Sequence, residues 1–359
     1  MLVPSDDKRA IAVRLPDRPL TAPRIVGRLM STFAIESGER AGQRLVILRD
    51  NEAGSSATLV PALGFACIGL RVTTNSGAWP VLAEPPDDEA LLTRTSRYGV
   101  PIMYPYPNRI RDGRFTFGGQ EYTQPIGGRG PHAIHGVTRE RAWTVEAADV
   151  DADGAFCRAS VTTGDTADDI WPWRSRITFE YRLRGATLRM RADAANLDNS
   201  PMPMGFGIHP WFDVPLGPGG GSRQTMELRA AAASFWELDE TLCTTGTVLS
   251  AERGFDTRRW HAIGDAFIDD VYTGLDVHDG WFTAEVRDPF NGRSIAVRSD
   301  AQFREHVIFA PLHASVVCLE PYTCATDAFN LAARGVDAGM IVLEPGARWT
   351  GSMEIAASF

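Results

Sequence analysis

Two short segments of this chain each carry one titratable side chain among glycine, proline and aromatic residues. They are Gly205-Phe206-Gly207-Ile208-His209-Pro210-Trp211-Phe212 and Cys318-Leu319-Glu320-Pro321-Tyr322-Thr323. An imidazole and a carboxylate that meet across a hollow form a general acid/base pair, which gives one proton to a bound molecule while taking another. Pro210 holds the backbone of His209 extended, and Trp211 and Phe212 supply apolar walls. Such walls lower the local dielectric and tune an imidazole in a direction set by its partner. Glu320 ends the apolar run Val316-Val317-Cys318-Leu319, which reads as an inner strand. A carboxylate there is costly to bury without partners, and that cost favours a functional role. The bland alternatives are a turn histidine against a core aromatic and a braced structural acid.

Other residues could hold a polar ligand. Arg109, in the turn-rich stretch from Tyr104 to Phe115, can present its planar fork to adjacent hydroxyls; a plain surface arginine is the alternative. His132 and His135 lie three residues apart, and Gly136 leaves room for close approach. A metal there needs a third ligand, and the seven histidines offer none at a recognisable spacing, so no metal is expected. His135 reads instead as a hydrogen-bonding group or a packed histidine. Asp269 or Asp270, interrupting an apolar stretch, could accept from hydroxyls or serve as a cap. Trp171 and Trp173 could stack on a ring, although core packing is the commoner fate of an indole. Gly128 to Ala133 fits a dinucleotide fingerprint only loosely, with Pro131 inside it and no following helix. Neither a Walker-type Gly-Lys-Ser/Thr nor a Gly-x-Ser-x-Gly elbow occurs.

The elements that must position these residues are strands. Arg44–Leu48, Cys67–Val72, Ala142–Val150, Ala155–Thr163, Ile177–Leu183 and Ala186–Ala192 are β-rich runs. Further runs are Met226–Ala230, Ala284–Asp288, Ser294–Ser299, Val307–Phe309, Val316–Leu319 and Ala347–Ala356. Arg176 to Leu183 alternates polar and apolar residues with period two, as a half-buried strand should. Asp153-Gly154 and Arg184-Gly185 fall between paired runs and predict hairpins. Helical periodicity is confined to Asp87–Thr95. With 34 Gly and 23 Pro, this pattern predicts an all-β fold, a large antiparallel β-sandwich with few short helices. Residues 1–30 carry Pro4, Pro16, Pro19 and Pro23 among charges and read as an extended arm; 31–359 read as a single domain. Leu216 to Ser222 reads as a flexible loop that either borders a site or lies in solvent.

Composition bounds the partners. Hydrophobic content of 44% and charged content of 23% describe a soluble globular protein. A formal net charge of -9 argues against nucleic acid and leaves neutral molecules as comfortable ligands. Five scattered cysteines without CxxC spacing predict reduced, buried thiols in a cytoplasmic protein. Met1 to Leu20 lacks a continuous apolar segment, so neither a secretory signal nor a membrane anchor is expected. The oligomeric expectation is a monomer or homodimer.

The order of the motifs is more specific than any of them alone. Asn108-Arg109-Ile110 with Gly113-x-Phe115, then His135-Gly136, His209-Pro210-Trp211-Phe212, Asp269-x-x-Tyr272 and Glu320-Pro321 with Asp327-Ala328-Phe329-Asn330 resembles the aldose 1-epimerase (galactose mutarotase) family. The likeness runs from about Gln43 to Ala356. It implies the family's large supersandwich, Glu320 as base for the anomeric hydroxyl and His209 as acid for the ring oxygen. It also implies that Arg109, His135 and Asp269 hold sugar hydroxyls; Trp171 and Trp211, read from their own settings, are further candidate contacts. His132 stands where the family usually has Asn, and Pro210-Trp211 departs from its pattern after the histidine. Those changes alter walls, so the preferred sugar is less legible than the reaction.

The reaction implied is interconversion of the α and β anomers of a free aldose, without metal or cofactor. His209 is expected charged and Glu320 ionised in the free enzyme. The rivals are an epimerase-like enzyme for a phosphorylated sugar, using Arg97, Arg111 or Arg129; a non-catalytic carbohydrate-binding protein; and a glycoside hydrolase pairing Asp269 with Glu320.

Overall fold

Period-two patterning becomes paired strands wherever the sequence carries it. The computed structural model describes residues 31–127, 130–165 and 169–359; the proposed arm at 1–30 lies outside the described residues, as does Arg129. Arg176–Leu183 lies within the strand Ser175–Arg184, whose residues alternate between buried and exposed or half-exposed. Both predicted hairpins form: Asp151 faces Gly154 across one, and Arg184 faces Thr187 across the other. Gly185 takes φ +58 in the second turn, a conformation that suits glycine. The predicted helix forms as Asp88–Thr93, capped by Asp87, whose side chain accepts from the Ala90 amide at 2.7 Å.

The strands assemble into antiparallel sheets, of which three are large. A five-stranded sheet is built from residues 33–80 in simple sequential order. A nine-stranded sheet runs from Thr144–Asp151 through Arg348–Ser358 to Glu227–Ala230 and His261–Ala262. An eight-stranded sheet places Val316–Tyr322 between Glu305–Ala310 and the segments Gly207–Ile208 and Trp211–Asp213. One apolar core draws on all three: Leu48, Leu59 and Leu70 from the first, Phe179, Met190 and Val286 from the second, Ile308, Val317 and Leu319 from the third. Thr32–Phe359 cluster as one compact unit. Five buried cysteines, none in a disulfide, sit in this packing. No helix among the described residues is long and apolar enough to cross a membrane.

The eight-stranded sheet has packing on both faces. Val317 and Leu319 point into the main core, while Tyr322 faces a second cluster with Met103, Val271 and Val307. The short helix Ala328–Ala333 covers that second cluster with Ala328 and Leu331. Such two-sided burial explains why Val316–Leu319 reads as a continuous apolar run rather than an alternating one. Thr326 and Asp327 are buried, and the helix starts immediately after them. The Leu216–Ser222 loop is pinned to the nine-stranded sheet. Arg293 Nη1 donates to the Leu216 carbonyl at 3.0 Å, and the Gly221 amide donates to Asp288 at 2.9 Å.

Candidate active site

Sheet register brings the candidate residues to one face. Asp269 pairs with Phe309, Phe309 with Cys318 and Cys318 with Trp211, which makes one row across four strands. Directly opposed residues of an antiparallel pair share a face, and so do residues two apart along a strand. Glu320 and Tyr322 therefore lie on the face of Cys318, and His209 stands just before the row at Trp211. The sequence alone could not supply this register, because Ile268–Leu275 reaches Val316–Tyr322 only through the intervening strand.

His209 and Glu320 meet. Nε2 of the imidazole lies 3.4 Å from Oε1 of the carboxyl. Tyr322 donates its hydroxyl to Oε2 of Glu320 at 2.6 Å. Gly207 makes room for this arrangement, since a Cβ there would stand 2.6 Å from the Tyr322 ring. The His209 ring lies flat on Trp211, with centroids 4.6 Å apart and planes 5° from parallel. His135, at φ +63, brings its ring within 5.4 Å of His209. Gly136 follows at φ +70, pressed so close to the Tyr104 carbonyl that a Cβ would lie 2.2 Å from its oxygen. The pair is nearly sealed: the His209 side chain is 10% exposed and Glu320 only 1%.

Arg109 and its surroundings are tied to the segment after Glu320. The Asp327 amide donates to the Arg109 carbonyl at 2.8 Å, and the Arg111 amide donates to Asp327 Oδ1 at 2.9 Å. Asn108 Oδ1 accepts from Arg109 Nη1 at 2.8 Å, which fixes the guanidinium. A cavity of about 210 Å³ is lined by Arg109, His132, Ile134, Thr241 and Leu242. His209 and Glu320 lie outside its lining, but the Arg109 charge acts on both of them and on Asp269. His132 accepts from the Asp112 amide through Nδ1 at 3.0 Å, which fixes its proton on Nε2. Arg111, offered above as an anion ligand, is engaged with Asp239 at 2.7 Å and with Asp327 at 3.5 Å.

Burial sets the protonation. It holds the His209 imidazole down at about 3 and lifts the Glu320 carboxyl well above the usual carboxylate range. The Tyr322 hydrogen bond and Arg109 pull Glu320 back, while Asp269 pushes it further up. His135 is likewise held well below an ordinary imidazole, first by burial and then by His209. Asp269 is pushed up to about 6 by burial, with Arg109 opposing and Asp270 adding. Burial thus works against both charged forms of the pair, the imidazolium of His209 and the carboxylate of Glu320.

Two aromatic assignments also change. Trp171 is fully buried, stacked on Phe115 at 5.7 Å and tilted against Trp173 at 5.1 Å, so it offers no face to a ligand. Trp211 has given one face to His209 and acts first as the backing of the imidazole. Tyr322 and Phe309 escaped the sequence reading. The signal for Tyr322 was available, because it stands two residues beyond Glu320 on the same strand.

Comparison with known proteins agrees with this architecture. The aldose 1-epimerase family model matches residues 49–356, and the chain belongs to that family. Over 204 residues it is 29% identical to galactose mutarotase of Mus musculus, covering 53% of this chain and 56% of the mouse protein. That match therefore spans little more than half of the relative. Over 280 residues it is 24% identical to the uncharacterized protein YihR of Escherichia coli K12, covering 77% of this chain and 83% of that protein. The fold matches a galactose mutarotase-like protein of Clostridium acetobutylicum with a TM-score of 0.80 at 22% identity, over 91% of this chain and 99% of that one. It matches galactose 1-epimerase of Lactobacillus acidophilus NCFM with a TM-score of 0.72 at 16% identity, over 91% and 98%. The chain thus combines membership of the aldose 1-epimerase family with a galactose mutarotase-like β-sandwich fold.

Proposed function

We propose that this enzyme interconverts the α and β anomers of a free aldose, with Glu320 and His209 exchanging protons with O1 and the ring oxygen. The observation that carries the reading is the 3.4 Å contact between His209 Nε2 and Glu320 Oε1 on a face shared with Asp269. Glu320 takes the proton of the anomeric hydroxyl, His209 gives one to the ring oxygen, and the C1–O5 bond opens to an aldehyde. Rotation about C1–C2 presents the other carbonyl face, and closure returns both protons. The pair holds one proton at the start and one at the end.

This bookkeeping gives burial a role. Opening from the charged form leaves a neutral imidazole and a protonated carboxyl, which is the form that desolvation favours here. The neutral form can also begin the cycle with roles reversed, Glu320 protonating the ring oxygen while His209 takes the O1 proton. Each positioned transfer typically contributes on the order of 10²–10⁴-fold. Arg109, His135 and Asp269 would hold hydroxyls, and the cavity beside Arg109 would take the part of the sugar remote from C1. The test is polarimetry of freshly dissolved α-glucose, α-galactose, xylose and arabinose with and without enzyme. Accelerated approach to the equilibrium rotation for at least one of them is the expected result; the uncatalysed rate for every aldose would refute the reading.

A further inference from the structure

Cys318 stands beside the acid/base pair, and the proton cycle above gives its thiol no part. Its row partners are Phe309 on one side and Trp211 on the other, so its sulfur points to the same face as the Glu320 carboxyl. The ligand atoms of His209, Cys318 and Glu320 all lie within 4.8 Å of one another, the one such trio of His, Cys, Asp or Glu among the described residues. We propose that these three side chains bind a thiophilic divalent cation, Zn²⁺ or Cd²⁺, which occupies the acid/base pair and reversibly switches the enzyme off.

The donor set selects the ion. One nitrogen, one sulfur and one oxygen suit zinc or cadmium, whereas magnesium and calcium prefer all-oxygen sites. Ligands bonded to a tetrahedral zinc at about 2.0–2.3 Å stand roughly 3.3–3.8 Å apart. His209 Nε2 and Glu320 Oε1, at 3.4 Å, already meet that spacing, and the Cys318 sulfur lies within 4.8 Å of both. Charge balance favours the ion as well. A thiolate and a carboxylate carry two negative charges, and a divalent cation cancels them in a site where an unpaired charge is costly. Two of the ligands are already oriented: Tyr322 occupies Oε2 of Glu320 while Oε1 faces His209, and Trp211 stacks on the imidazole plane. Binding displaces the Cys318 thiol proton and the one proton of the His209–Glu320 pair to solvent, with no change of oxidation state. A fourth position is left for water or a sugar oxygen.

The inhibition rests on the acid/base reading above; the binding does not, and two readouts keep them apart. CdCl₂ is titrated into the wild type and into Cys318→Ser while the ultraviolet thiolate-to-cadmium charge-transfer band is followed. Turnover is then measured with ZnCl₂, before and after EDTA. In the wild type the band should appear, and saturating zinc should lower turnover by at least about 100-fold, since both proton-transfer groups are blocked; EDTA should restore it. Cys318→Ser should keep its turnover, lose the band and resist zinc. Cys318→Ala serves the same comparison if the serine variant does not fold. A band that persists without Cys318, or zinc inhibition undiminished in both variants, overturns the proposal. A Cys318-dependent band in a protein that accelerates mutarotation of no aldose upholds the metal site and refutes the acid/base reading instead.

Discussion

Asp269 is the most instructive residue to perturb, because stability and function should move in opposite directions. It lies on the row that leads to Trp211, and burial lifts its carboxyl from 3.8 to about 6. A rise of about 2 in pKa corresponds to roughly 3 kcal/mol, and the partial exposure of the side chain trims the expected cost to about 1–3 kcal/mol. The folded pKa is raised, so the penalty is complete at pH 7, where folded and unfolded states are both ionised. It shrinks as pH falls through about 6, where the folded state takes a proton, and is gone near pH 4, where the unfolded state does too. Asp269→Asn should therefore be more stable than the wild type by about 1–3 kcal/mol at pH 7, with the difference vanishing near pH 4. The same change removes a charged acceptor, and a hydrogen bond to a charged group is worth about 1.5–3 kcal/mol, so KM should rise roughly tenfold or more. Urea unfolding at the two pH values and polarimetric kinetics measure both halves. A variant that is no more stable at pH 7 and binds sugar normally would refute the assignment of Asp269 as a costly acid retained for the ligand.

Other perturbations test the surroundings of the pair. Tyr322→Phe removes the hydroxyl held 2.6 Å from Glu320, a bond worth about 1.5–3 kcal/mol when the carboxylate is ionised in the cycle, and should lower kcat roughly tenfold or more with little change in KM. An unchanged kcat would show that Oε2 needs no support. In the wild type, kcat/KM should fall as pH drops below about 6, where Asp269 takes a proton, and in Asp269→Asn that limb should disappear. The remaining acidic limb should then sit near the His209 value of about 3, where the pair acquires a second proton. The alkaline limb should follow loss of the shared proton from the raised Glu320 carboxyl. A limb near 6.5 that survives in Asp269→Asn would mean that the imidazole titrates as if exposed.

Much of the scaffold was legible because strand patterning and turn chemistry are local. Arg176–Leu183 alternates, Gly185 closes its hairpin, and Asp87 caps the helix where the sequence places it. Ala232–Leu238 and Ile268–Leu275 were harder to see, since partial burial on both faces blurs their alternation. His209 and Glu320 were legible as isolated groups in odd settings. Their meeting follows from register, a long-range property that no local pattern encodes. Trp171 misled because an indole in a Trp-Pro-Trp stretch reads the same whether it lines a groove or fills a core. The electrostatics of the pair were not legible for a different reason: they depend on how completely the surrounding sheet buries both groups, which appears only when the chain is folded.

The central claim is most directly tested by following anomer exchange with two-dimensional exchange NMR on an accepted aldose, for the wild type and Glu320→Gln. The amide preserves the shape of the side chain but can neither take nor release the shared proton. Exchange in Glu320→Gln should fall by at least about 100-fold while sugar binding, read by chemical-shift titration, remains measurable. Wild-type exchange rates in that variant would contradict the account.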